Sequence, residues 1–348
     1  MNEWRRLYAR HAAELEDFWG RRETAARFRR EVVVFGRRVR LASNDAGALT
    51  AVDHSLPLFS TAAAGPMPVF ELQIVVRAAP RPPGAPPADL MNQTTYTGDG
   101  GWVMIHLAAW GQAYLDLARG HGVIVVVPEL AARPAALSQQ LLNTVLLNVC
   151  LGSGYGMLHA SGLLRGGDLL LLLAPHNTGK STTALRLLLA GWRLVTDSMV
   201  HVLPDRPELL LAGFPVGRIK LRGDMVAAFP QFAGQLAAEV VRDETKYVVD
   251  LRRAAPEMVV ETAVAPRRVH VCLLARHAAA ETVARPAAET AVWPAIMQNS
   301  LFFDTPAAWE RNLAQVARLV SGVACWQLTI GTDAAGIGTA VDALVRVK

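Results

Sequence analysis

The stretch Leu169–Asp197, LLLLLAPHNTGKSTTALRLLLAGWRLVTD, decides how this chain is read. It opens with an unbroken apolar run, Leu169 to Leu173, the pattern of a strand buried on both faces. Ala174 to Ser181 then spell A-P-H-N-T-G-K-S. This keeps the second glycine, the lysine and the hydroxyl of the phosphate-loop pattern G-x-x-x-x-G-K-[ST] and replaces only the first glycine. From Ser181 onward Leu185, Leu188 and Leu189 recur at helical spacing. A loop between a strand and a helix N-terminus aims free backbone N–H groups at one point, where the helix dipole adds partial positive charge. An anion fits that point. The candidate binding residues are Pro175, His176, Asn177, Thr178, Gly179, Lys180, Ser181 and Thr182, with Lys180 reaching terminal phosphates and the Ser181 hydroxyl facing Mg²⁺. Proline at 175 and asparagine at 177 leave the loop able to curl without the first glycine, since asparagine tolerates left-handed backbone.

Two residues outside the loop extend the site. Upstream, in GMLHASGLLRGGDLLLLL, His159 lies on a strand that a glycine-rich hairpin, Arg165 to Asp168, joins to the loop strand. Downstream, GWRLVTD places Asp197 at the end of another apolar strand. An acid there can hold the metal together with Ser181 and orient or deprotonate an attacking hydroxyl. Asp197, His159 and Lys180 are therefore the candidate catalytic residues.

These residues carry a resemblance. The segment Leu158 to Leu203 resembles the core of the HPr kinase/phosphorylase family and its HPr-kinase-like relatives, in the ordered set His159, Gly179-Lys180-Ser181 and Asp197 after GWRLV. The resemblance implies an ATP- and Mg²⁺-dependent protein serine kinase, with a fold similar to phosphoenolpyruvate carboxykinase. This chain departs from the pattern at Ser198, where the family usually has a second aspartate, and no copy of the HPr-docking segment is evident. The layout is more similar to HPr-kinase-like proteins associated with ribosomally made, modified peptides. That branch implies a serine-type hydroxyl on a peptide or small protein as acceptor. A nucleotide-binding module without catalysis and a kinase of a free metabolite remain open alternatives.

Composition sets the frame. Hydrophobic residues at 52% and charged residues at 19% over 348 positions supply material for about two domains. The expected division is a helix and mainly β domain over 1–131, suited to substrate or peptide recognition, then an α/β P-loop kinase domain with a mixed sheet over 132–348. The mixed sheet follows from the Arg165–Asp168 turn, which is short enough to join only antiparallel neighbours. The first part reads as an amphipathic helix at the N-terminus, a hairpin in VVVFGRRVRLAS, a strand in VFELQIVVR and a meander with turns at Gly111 and Gly120–Gly122. Proline-rich Ala78–Gln93 reads as a long loop. The second part opens with a long apolar helix and ends with a strand, turn and helix in VACWQLTIGTDAAGIGTAVDALVRV.

Three scattered cysteines, Cys150, Cys272 and Cys325, argue against a disulfide framework or zinc site. With no apolar run long enough to span a bilayer and no signal-like N-terminus, a cytoplasmic, membrane-free protein is expected. The net charge of +5 concentrates in Arg21–Arg40. Without interleaved aromatics or a recognition helix this reads as a solvated face rather than a nucleic-acid surface. Arg218, Lys220 and Arg222, just after a predicted strand, and Lys246 are candidates to add positive charge over a transferring phosphoryl group. The sequence carries no signal for a homo-oligomer.

Overall fold

The structure, a computed structural model, describes residues 27–78, 93–99, 101–175, 177–204, 208–241, 244–299 and 306–346. The N-terminal amphipathic pattern, most of the proline-rich segment and His176 lie outside the described residues.

A seven-stranded sheet comes first: β1 (Phe28–Val34), β2 (Arg37–Ser43), β3 (Phe70–Val76), β4 (Thr94–Asp99), β5 (Trp102–Leu107), β6 (Gly111–Asp116) and β7 (His121–Val126), in the order β1-β2-β3-β7-β6-β5-β4. The expected hairpin is present. Its turn uses Phe35 and Gly36 at φ 49° and 83°, and β1 pairs antiparallel with β2. Such positive angles match the strand twist. The meander also forms, but its turns fall at Ala108–Trp110 and Leu117–Gly120. Gly111 and Gly122 sit inside strands instead. A Cβ on Gly111 would come within 2.9 Å of the Val125 carbonyl, and one on Gly122 within 2.6 Å of Leu115. These glycines serve close packing rather than turning.

Under this sheet lie the helix Ala46–Ser55 and a helical stretch from Pro134 to Gly152, which contains a π turn at Ser138–Leu142. Their apolar faces share one core with the sheet: Leu41, Leu72, Ile74 and Ile124 meet Val52, Leu141, Leu146 and Cys150. Ser55 and Ser138 hydroxyls are 2.8 Å apart within that contact.

The remaining strands are β8 (Gly156–His159), β9 (Ser161–Arg165), β10 (Asp168–Leu173), β11 (Arg193–Thr196), β12 (Met199–Val202), β13 (Leu211–Phe214), β14 (Arg218–Arg222), β15 (Leu236–Val241), β16 (Glu244–Asp250), β17 (Arg268–Arg276), β18 (Val283–Pro286) and β19 (Ala324–Ile330). The central sheet has the order β11-β9-β10-β17-β19-β18 and is mixed. β10 runs parallel to β17 and β17 to β19, whereas β9 and β11 are antiparallel. The Gly166–Gly167 turn, at φ 58° and 92°, joins β9 to β10 as the short hairpin required.

Leu169 to Leu173 are all 0% exposed. Alternation sends Leu170 and Leu172 into one core, with the helices Lys180–Leu189 and Gly336–Arg346, and Leu169, Leu171 and Leu173 into another, with the helices Glu289–Asn299 and Pro306–Val320. Full burial contributes roughly 1.5–3 kcal/mol per leucine, which makes this strand a main anchor of the α/β layers. On the helix Lys180–Leu189 the inward residues are Leu185, Leu187 and Leu188, while Leu189 is 46% exposed. The helix ends at Leu189, so its last side chain faces solvent rather than the sheet.

Two small sheets complete the fold, β13-β12-β8 and β14-β16-β15. The three cysteines are free and buried. No helix among the described residues is long and apolar enough to cross a membrane.

Candidate functional site

The loop after β10 ends at Gly179, whose φ of 103° is left-handed and natural only for glycine. Asn177 also adopts positive φ, at 63°, the role its short polar side chain tolerates. The Thr178 N–H closes back on the Pro175 carbonyl at 3.3 Å. The first intrahelical bond runs from the Thr183 N–H to the Gly179 carbonyl, 2.9 Å. The N–H groups of Lys180, Ser181 and Thr182 therefore have no acceptor within the helix and point out of its end. Such a helix end is suited to an anion.

Asp197 stands opposite. β11 stops at Thr196, and the chain leaves the central sheet there to enter β12 of the neighbouring small sheet. Beside it the strand carrying His159 makes the same move. Rather than one strand running into the Arg165–Asp168 hairpin, β8 ends at His159 and β9 starts at Ser161, in different sheets. The two breaks are stitched by the Ala160 N–H donating to the Ser198 carbonyl, 3.0 Å. As a result the Ser161 hydroxyl donates to the Asp197 carboxylate at 2.5 Å. Ser161 was not among the sequence candidates, because only this sheet switch turns a buried strand serine toward the acid.

Asp197 is buried, and burial raises its pKa to about 6 against hydrogen bonds from Ser161 and Ser181, the Lys180 charge, and the Lys220 backbone. Burial also lowers the Lys180 pKa, with Asp197 opposing. The Lys180 ammonium lies 3.2 Å from Nε2 of His159 and 3.5 Å from Nδ1. The structure thus brings together His159, Lys180, Ser181 and Asp197, and adds Ser161. At position 198, where a second acid was absent, the serine is used through its backbone: its N–H donates to Thr196 Oγ1 at 3.1 Å. Among the described residues no three His, Cys, Asp or Glu side chains form a metal cluster.

The basic candidates fall elsewhere. Arg218, Lys220 and Arg222 lie on β14 itself rather than after a strand, and Lys246 lies on β16 directly opposite Arg222. Arg218 pairs with Glu239, Lys220 Nζ is 3.6 Å from the same carboxylate, Arg222 is 3.2 Å from Asp224 and Lys246 is 2.7 Å from Glu244. Alternation along β14 explains this, since Ile219 and Leu221 enter the core and the basic residues take the opposite face. What β14 brings to Asp197 is the Lys220 backbone amide.

A different arginine reaches the loop. β10 and β17 are parallel with Leu173 opposite Leu273, so Arg276 at the end of β17 lies level with the loop. A Cβ on Gly179 would be 3.4 Å from the Arg276 guanidinium. Arg276 is exposed and makes no ion pair among the described residues. Ligands in open α/β sheets collect beyond the carboxyl ends of parallel strands, which is where this side chain sits. In the sequence the only sign of it was a charged residue closing the apolar run VHVCLLAR.

No protein-family model matches the sequence, and no curated protein matches it. Among solved structures, the Hpr(Ser) kinase/phosphatase from Coxiella burnetii is similar, with 15% identity and a TM-score of 0.30. The match covers 55% of this chain and 88% of that one, a distant likeness at most.

Proposed function

We propose that this protein is a P-loop kinase that uses ATP and Mg²⁺ to phosphorylate a serine-type hydroxyl on a peptide or small protein. The observation that carries the reading is the buried Asp197 carboxylate, held by Ser161 and Ser181 directly beside Lys180 at an open helix N-terminus. The residues fit a nucleotide triphosphate and its cation. The N–H groups at Lys180, Ser181 and Thr182 suit the phosphates, and the pair Ser181–Asp197 offers a hydroxyl and a carboxylate to Mg²⁺. When bound, Mg²⁺ neutralises charge on the terminal phosphates.

In this reading Lys180 and Arg276 grip the transferring group, the latter supplying the positive charge sought in the β14 residues. Asp197 accepts the proton of the acceptor hydroxyl as its oxygen bonds to the γ-phosphorus and the bond to ADP breaks. A carboxylate whose pKa burial has raised is suited to that role. Ser161 holds it in place. His159, next to the ammonium, orients Lys180. In this reading phosphoryl transfer belongs to residues 132–348, residues 1–131 contribute to acceptor recognition, and the reaction takes place in the cytoplasm, without nucleic acid or membrane.

The test is phosphopeptide formation from labelled ATP with serine peptides and free serine as acceptors. Wild type should transfer to peptide, and Lys180→Ala should abolish transfer with an unchanged melting curve. The lone acid gives the second reading, a nucleotide-dependent binding module, its footing. Tight Mg·ATP binding with no transfer to any acceptor would select it.

A further inference from the structure

We infer that the groove between the C-terminal end of the helix Ala46–Ser55 and the β14-β16-β15 sheet is a docking site for an acidic peptide. As acceptor site it rests on the phosphotransfer reading above; as a peptide site it does not. The cavity measures about 670 Å³, with Val216 and Val248 on its apolar side and Arg218, Arg252 and Arg253 along it. An extended residue occupies roughly 3.3 by 4.7 by 10 Å, so about four residues of strand-like peptide fill the space.

The chemistry follows from which charges are already matched. Two acids line the groove, and both are engaged: Asp53 accepts from Arg30 at 2.6 Å, and Asp250 accepts from the Arg252 N–H at 3.1 Å as the cap of the short helix Leu251–Ala254. The cations are less complete. Arg218 is paired with Glu239, and Arg252 with Glu261, Nε to Oε1 3.5 Å; because that Nε is sealed from solvent, Arg252 meets the groove only through the end of its guanidinium. Arg253 is exposed and, among the described residues, has neither hydrogen bond nor ion pair. The lining holds three guanidinium groups against two carboxylates, with Arg253 the unpaired cation among the described residues, and planar guanidinium forks on a partly apolar wall match peptide carboxylates.

Position ties the groove to the candidate site. β14 forms its wall through Arg218, and two residues on, about 7 Å along the strand, the Lys220 backbone touches Asp197. A peptide presenting a hydroxyl to Asp197 would therefore set side chains two to four residues away against the arginines.

The experiment uses the full chain and three fluorescein-labelled 12-residue peptides, each with one serine flanked by three Asp, three Asn or three Lys. Anisotropy is read with and without Mg·ATP for wild type, Arg253→Gln and Arg252→Gln/Arg253→Gln. The Asp peptide should bind at least tenfold tighter than the Asn peptide and lose that advantage in the double variant, while Mg·ATP affinity stays the same. Arg253→Gln, at an exposed unpaired position, guards against a misfolded double variant and should give an intermediate loss. Equal binding of the three peptides, or an Asp-peptide affinity that neither variant changes, overturns the proposal. Charge-selective binding with no phosphopeptide would keep the groove and sink the kinase reading. Phosphorylation indifferent to peptide charge would do the reverse.

Discussion

His201 offers a clean test of the packing between the small sheet β13-β12-β8 and the seven-stranded sheet. It lies on β12 opposite Met157 and Ala212, fully buried, its ring 4.7 Å from that of Phe35 at the β1–β2 turn. Neither ring nitrogen has a hydrogen-bond partner. Burial alone pushes its pKa from 6.5 down to about 3. A base whose folded pKa is depressed keeps the native state neutral while the unfolded chain takes up a proton below 6.5. Stability is thus lost as pH falls from 6.5 toward about 3. At 1.36 kcal/mol per pH unit below 6.5, going from pH 7 to pH 5 costs about 2 kcal/mol, or about 3 °C in melting temperature for a chain of this length. His201→Leu removes the titrating ring and two unsatisfied buried nitrogens, so at pH 7 it should be as stable as wild type within about 1 kcal/mol. Denaturant unfolding of both proteins from pH 7 to pH 5 gives the readout, and other titrating groups cancel between them. Parallel stability curves would refute the reasoning.

At the candidate site, Asp197→Asn should bind ATP within about tenfold of wild type, yet lose most phosphoryl transfer, because the carboxylate acts mainly in the transition state. The same change should stabilise the metal-free protein. An acid with a raised folded pKa favours folding when protonated, and that advantage is lost as pH rises from 3.8 through about 6, so the ionised form at pH 7 carries a cost of roughly 3 kcal/mol. Thermal melts at pH 4 and pH 7 check this, with Asn flattening the slope. Arg276→Gln should leave folding untouched and reduce transfer by about tenfold to a hundredfold at saturating ATP, measured as kcat, if its guanidinium reaches the transferring group. Gly179→Ala places a Cβ at φ 103° and 3.4 Å from that guanidinium, and should weaken ATP binding while costing about 1 kcal/mol of stability. Calorimetry of both quantities decides it.

How much of this was written in the chain depends on the distance over which each feature is determined. The strand Leu169–Leu173, the left-handed Asn177 and Gly179, the hairpin at Gly166–Gly167 and the position of Asp197 just after a strand all follow from neighbours a few residues apart. Apolar runs, helical spacing and glycine conformations are local, so the sequence by itself determined them. Gly111 and Gly122 mark the limit of that logic, since a glycine needed for close packing looks the same as one needed for a turn.

The rest required strands far apart in sequence to find their register. Ser161 meets Asp197 only because β8–β9 and β11–β12 leave the central sheet side by side. Arg276 reaches the loop only because β17 lies parallel to β10 in one particular alignment. The Lys220 amide reaches Asp197 because β14 is the edge of its sheet, and the groove exists because that sheet lies against the helix Ala46–Ser55. A shift of one residue in any of these pairings would turn the same side chains to the opposite face, so tertiary packing, through the burial of one face rather than the other, decided them.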